Sequence, residues 1–191
     1  MTVHCLVFNG FSDWEIGFIL PELRKNSVDV ITVGFSKEPV LSMGGLKILS
    51  DMELNSVNDD KLDCLLIPGG QMWEQSIPDG FIERLKDLDQ RNVVIGGICG
   101  ATLALAKAGL LDNNLHTSND LGYMKAMVPE YKGEAFYSQD LSVSDKNIIT
   151  ASGLGAIEFA RDVLVKLKIY DVNKANQWFD LFKYAKWTGP L

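Results

Sequence analysis

Apolar residues fall in short dense runs, and longer amphipathic stretches separate them. Residues 3–8 (V-H-C-L-V-F) read as a strand buried on both faces, with His4 and Cys5 as strand residues and not ligands. Asn9-Gly10-Phe11-Ser12 reads as a turn, with a helix from Asp13. Ser12-Asp13-Trp14-Glu15 has the S-x-x-E spacing of a capping box. Pro21 predicts a kink or break near Leu20. A second strand is expected at 28–35, a hairpin around Gly44-Gly45 at 40–49, and an irregular polar segment at 51–60. Residues 62–67 (L-D-C-L-L-I) form another buried run, so Cys64 reads as core. Phe81, Ile82, Leu85 and Leu88 mark one side of an amphipathic helix at 78–90.

The pattern changes abruptly at 92–108, N-V-V-I-G-G-I-C-G-A-T-L-A-L-A-K-A. A β-branched run at 93–95 gives way to a helix former at 102–108, closed by Gly109. The small residues around Cys99 allow a sharp strand-to-helix turn, with Cys where a nucleophile elbow carries Ser. A thiol at a helix N-terminus is expected to have a lowered pKa and to be partly thiolate at neutral pH.

Beyond the elbow, short strands are expected at 115–118, 134–137, 141–144 and 148–151. Helices are expected at 121–128, 156–167 and 171–187, the last rich in aromatic residues. Strands alternate with helices throughout, which predicts a doubly wound, flavodoxin-like, mostly parallel sheet with helices on both faces. One domain over 1–191 is expected, with 168–191 as an aromatic helical extension. The carboxyl of Glu15, just past the first strand, then falls at the sheet edge onto which the elbow opens. Gly69 and Gly70 follow another strand there; their backbone N–H groups can face an anion, or simply let the chain turn.

Composition narrows the partners. The net charge is −7 with Lys and Arg scattered, which argues against nucleic acid and anionic membrane surfaces. Residues 1–20 lack a basic leader segment and carry Asp13 and Glu15, and no apolar run approaches spanning length. Three cysteines without framework spacing suggest reduced thiols and a cytoplasmic location. With two histidines and no C-x-x-C, a structural zinc site is not expected, and nothing in the sequence implies another metal or an organic cofactor.

Four blocks in order, I-P-G-G at 67–70, G-G-I-C-G-A-T at 96–102, T-S-N at 117–119 and G-L-G-A-I-E-F-A at 153–160, resemble the ThiJ/PfpI superfamily. This is the cysteine-centred branch of the class I glutamine-amidotransferase-like fold. The resemblance runs over about residues 3–167 and includes D-W-E at 13–15. It implies a homodimer, a reactive Cys99, Glu15 touching that sulfur, and Gly70 and Gly100 as backbone oxyanion donors. Many members carry T-S-H, whereas this chain has Asn119 at that position. His116 lies three residues upstream, and strand alternation points it to the opposite face. An amide cannot take a proton near neutral pH, so peptidase and amidotransferase chemistry are disfavoured. The resemblance instead favours hydrolase- or lyase-like chemistry on a small electrophile, with Cys99 as nucleophile, Glu15 as acid/base and Asn119 orienting. A redox or stress-response protein whose Cys99 oxidises is the alternative.

Overall fold

The computed structural model describes residues 1–187 and 189. In chain order its elements begin with β1 (Thr2–Val7), α1 (Asp13–Ile16), α2 (Ile19–Lys25), β2 (Asp29–Gly34), β3 (Val40–Leu41), β4 (Lys47–Ile48), β5 (Met52–Glu53) and β6 (Cys64–Ile67). There follow α3 (Met72–Gln75), α4 (Phe81–Gln90), β7 (Val94–Ile98), α5 (Ala101–Lys107) and α6 (Leu121–Met127). The chain then forms β8 (Ser142–Asp145), β9 (Ile148–Ala151), α7 (Ala156–Lys166) and α8 (Val172–Tyr184). Seven strands make one sheet in the order β5-β2-β1-β6-β7-β9-β8. Every pairing in it is parallel except β8 with β9. β3 and β4 form the separate hairpin expected from Gly44-Gly45.

The expected flavodoxin-like arrangement is therefore present, and the dense apolar runs explain it. Strands covered on both faces have no polar side to present. Neighbouring glycines in β7 show how tightly the layers close. A Cβ on Gly96 would meet the Phe159 ring of α7 at 2.9 Å, and one on Gly97 would meet Leu105 of α5 at 2.7 Å. Successive strand residues face opposite ways, so α7 and α5 cover opposite faces of the sheet. α5 ends as expected: Gly109 has φ +73°, its N–H reaches the Ala106 carbonyl, and Leu110 N–H reaches that of Leu105. α8 carries the C-terminal aromatics: Trp178 is buried against Phe18 and Phe182, while Tyr184 and Trp187 are exposed. No helix among the described residues is long and apolar enough to cross a membrane.

Some local expectations are overturned. The capping box does not form: the Ser12 side chain makes no cap hydrogen bond and its Oγ lies 3.6 Å from Met43 Sδ. Glu15 turns inward instead. The helix break precedes Pro21 and falls at Gly17–Phe18; Pro21 sits in the first turn of α2, where its missing N–H costs nothing. Residues 134–137 are not a strand, because Glu134–Phe136 close a 3₁₀ turn through local hydrogen bonds. The strand expected at 115–118 is reduced to one isolated bridge, His116 to Tyr137. The segment 51–60 is more ordered than its polarity suggests. It contains β5 and the 3₁₀ turn Leu54–Ser56, and another follows at Asp59–Lys61. The short helix α3 has no counterpart in the sequence reading.

Candidate active site

β7 delivers the chain to Cys99, and Gly100 caps α5 immediately afterwards. Cys99 has φ +58°, a left-handed conformation that costs a non-glycine residue about 1–2 kcal/mol. The surroundings hold it there. Its N–H donates to the Ala151 carbonyl at 2.8 Å, and its carbonyl accepts from Thr102 Oγ1 at 2.7 Å. Ser27, Asn92, Lys146, Lys168 and Ala185 also have positive φ, so it is the polar groups around Cys99 and not the strain alone that single it out. The sharp elbow expected from the glycine pattern is present.

Glycines of two other loops close on the sulfur. A Cβ on Gly69 would lie 2.7 Å from Cys99 Cβ and 3.0 Å from Sγ, and one on Gly153 would lie 3.1 Å from Sγ. No larger residue fits at either place without displacing Cys99. Gly70 and Gly100 are adjacent, since a Cβ on Gly100 would sit 3.1 Å from the Gly70 carbonyl and 3.6 Å from its nitrogen.

Two polar side chains face the thiol. Asn119 Nδ2 donates to Sγ at 3.1 Å, and its Oδ1 accepts from Gly153 N–H at 2.8 Å, which fixes the amide's orientation. Glu15 is completely buried. Its Oε2 accepts from Gly69 N–H at 2.6 Å, while Oε1 is buried without a hydrogen-bond partner and borders Gly153 beside the sulfur. Burial pushes the Glu15 carboxyl up to about 7, against weaker lowering influences of the Gly69 N–H and the Cys99 and Ser12 side chains.

The lowered thiol pKa expected at the helix N-terminus is not found. Burial, and next the Glu15 charge, push Cys99 up to about 11, although Asn119 and the Gly100 N–H pull the other way. α5 is only seven residues long, and its N-terminal field does not offset that burial.

Cys5 and Cys64 differ in kind. Both are fully buried in β1 and β6, and burial pushes Cys5 up to about 12 and Cys64 higher still. All three cysteines are unpaired. His116 is buried away from the sulfur, between the Asn114 carbonyl at Nδ1 and the Tyr131 hydroxyl at Nε2. Its orientation agrees with the sequence reading, though the strand used to argue it does not form. Sequence reasoning missed Gly69 N–H as the partner of Glu15, Gly153 N–H as the anchor of Asn119, and Tyr123 as a wall of the cleft over Cys99. Gly153 lay inside the G-L-G-A block, but its contact is made across the fold. Among the described residues, no group of three or more His, Cys, Asp or Glu side chains could hold a metal ion.

A doubly wound sheet with a cysteine on its strand–helix elbow and a buried carboxyl beside it defines a class of α/β protein. The chain belongs to the DJ-1/PfpI family, whose model matches residues 1–166. It is 39% identical to the Bacillus subtilis protein named uncharacterized protease YoaZ over 192 residues, covering 96% of this chain and 91% of that one. It is 29% identical to the glutathione-independent glyoxalase DJR-1.2 of Caenorhabditis elegans, over 76% of this chain and 77% of the other. The crystal structure of a ThiJ/PfpI family protein from Bacillus anthracis superposes with a TM-score of 0.90 at 39% identity, covering 97% and 92% of the two chains.

Proposed function

We propose that Cys99 is the nucleophile of a reaction on a small electrophilic carbonyl compound, with Glu15 moving the proton. One observation carries this reading: a strained, half-buried thiol held by Asn119 beside a carboxyl whose Oε1 has no hydrogen-bond partner. The pair is best treated as one titrating unit. With steps at about 7 and about 11, it holds a single proton between them. When that proton lies on Glu15 Oε1, the sulfur is thiolate. Sγ then adds to the carbonyl carbon, the π electrons move to oxygen, and that oxygen takes the Glu15 proton. The product is a neutral hemithioacetal and a carboxylate. Gly70 and Gly100 N–H groups stabilise the developing negative oxygen, and Asn119 orients the sulfur without titrating.

The relative named a glutathione-independent glyoxalase supports carbonyl chemistry. Peptidase and amidotransferase chemistry are disfavoured, because the one ring base near this edge, His116, is locked between Asn114 and Tyr131. Incubation with glyoxal tests the proposal: the protein is expected to consume it, Cys99→Ser to stop consumption, and Glu15→Gln to slow it by roughly 10²–10⁴-fold. Consumption unchanged in Cys99→Ser rules the reading out.

A second reading, oxidation of Cys99 in a stress role, is favoured by the same partial exposure that Cys5 and Cys64 lack. Sulfenic acid at Cys99 on intact-mass analysis after peroxide, without glyoxal consumption, selects it. The homodimer implied by the family resemblance is supported by exposed apolar residues flanking the site, Trp14 on α1, Leu46 in the hairpin and Leu154 beside Gly153. A monomer by light scattering at micromolar concentration removes it. Three unpaired thiols favour a reducing, cytoplasmic location.

A further inference from the structure

The enclosed part of the cleft over Cys99 is only about 10 Å³, so a carbonyl compound attacked there reaches Sγ from the open side of the cleft. A far larger cavity, about 510 Å³, opens nearby on the same sheet edge. It lies beyond the C-terminal ends of β1 and β2, between the β3–β4 hairpin and α3. The strand order reverses between β1 and β6, so this is the edge where doubly wound folds take ligands. The turn at 68–70 separates the two spaces. On one side Gly69 faces Cys99 and Glu15; on the other, a Cβ on Gly70 would meet the Phe8 ring at 2.7 Å. Phe8 lines the large cavity and not the Cys99 cleft.

We propose that this cavity is a second small-molecule site, for an uncharged ligand with an apolar ring or branched body and an amide-like group. Its volume falls in the range of ligand sites. Phe8, Phe35, Val40, Met72 and Pro78 give it an apolar wall. Gln71 and Gln75 supply side-chain amides, which present both donors and acceptors, and Asn9, whose Oδ1 accepts from Leu41 N–H at 2.9 Å, offers its amide N–H groups. Among the described residues, those lining it carry no formal charge. A carboxylate ligand would therefore lose water without gaining a counter-charge, in a protein of net charge −7. The wall is also rigid: the Trp73 indole N–H donates to the Pro68 carbonyl at 2.9 Å, and the Trp73 ring packs edge-on against Phe8 at 5.2 Å. The site is thus preformed, and its existence does not depend on the chemistry of Cys99.

The test uses the full chain and two matched probes, N-acetyl-L-phenylalaninamide and its carboxylate counterpart N-acetyl-L-phenylalanine. Two-dimensional ¹H–¹⁵N NMR follows the Gln71, Gln75 and Asn9 side-chain amides and the Trp73 indole. The amide probe is expected to give saturable shifts at these groups with a Kd of about 1 mM or tighter, an affinity ordinary for a ligand of that size. The carboxylate probe is expected to bind at least about tenfold more weakly. Gln75→Trp, an exposed substitution at the cavity mouth that leaves the core untouched, is expected to abolish the shifts. Three results overturn the proposal: no saturation, equal affinity for both probes, or shifts centred on Asn119 instead of the Gln71–Gln75 segment.

Discussion

Cys64 lies on β6 and Cys99 directly follows its neighbour β7, and burial raises both thiols. Their settings separate them. Cys64 opens β6 in ordinary strand geometry, fully buried among apolar neighbours. Cys99 lies one residue past β7, in left-handed backbone, partly buried, with an amide donor and a buried carboxyl beside it. Burial alone makes a thiol inert. Burial with a partner that can hold the proton makes a thiol whose charge is set by that partner. A cysteine count cannot distinguish the two; position on the strand does.

The largest break in this comparison is to exchange the thiols one at a time. Cys99→Ser is expected to eliminate alkylation at the elbow and any glyoxal consumption while the fold is retained. Cys64→Ser is expected to leave both intact and to lower stability by about 1–3 kcal/mol, since it buries a hydroxyl in an apolar strand. Alkylation rates with peptide mapping and urea denaturation read the two effects. Next comes Gly69→Ala, whose added carbon would lie 2.7 Å from Cys99 Cβ. Elbow reactivity is expected to fall at least tenfold, with about 1–3 kcal/mol of stability lost to overpacking.

Glu15→Gln sharpens the comparison through stability. The folded pKa of Glu15, about 7, lies above its unfolded value of 4.5. Its contribution is therefore fully favourable below 4.5 and is lost as pH rises towards 7. The variant, which can still accept from Gly69 N–H, is expected to exceed the wild type at pH 8 by on the order of 2–3 kcal/mol. The advantage is expected to vanish below pH 4.5. Urea midpoints at pH 4 and pH 8 check it, and equal differences at both would remove the claim that the buried charge is costly. The smallest effect belongs to Asn119→Ala. Losing one donor to the sulfur is expected to slow elbow alkylation severalfold at fixed pH, without changing the fold.

The sheet was legible because its strands are dense apolar runs, and the elbow because Gly96, Gly97 and Gly100 bracket one thiol. Short elements were less so. Residues 134–137 satisfy themselves locally, and no four-residue pattern distinguishes that from a strand. Glu15 was legible from its place past the first strand and strengthened by motif resemblance, and Asn119 came from the resemblance alone; the N–H groups that position them, from Gly69 and Gly153, could not be found. Those contacts join residues 54 and 34 positions apart. The direction of the Cys99 shift was misjudged for a related reason. A helix N-terminus is visible in sequence, whereas burial beside a carboxyl is a property of three loops packed together.

Cys99 and Glu15 are proposed to share one proton. The pH profile of Cys99 alkylation, in wild type and in Glu15→Gln, tests it most directly. Two steps are expected in the wild type, near 7 and near 11. In the variant a single step is expected, below 11, because the facing charge is gone. A single wild-type step near the ordinary thiol value of roughly 8.5, unmoved by Glu15→Gln, would contradict it.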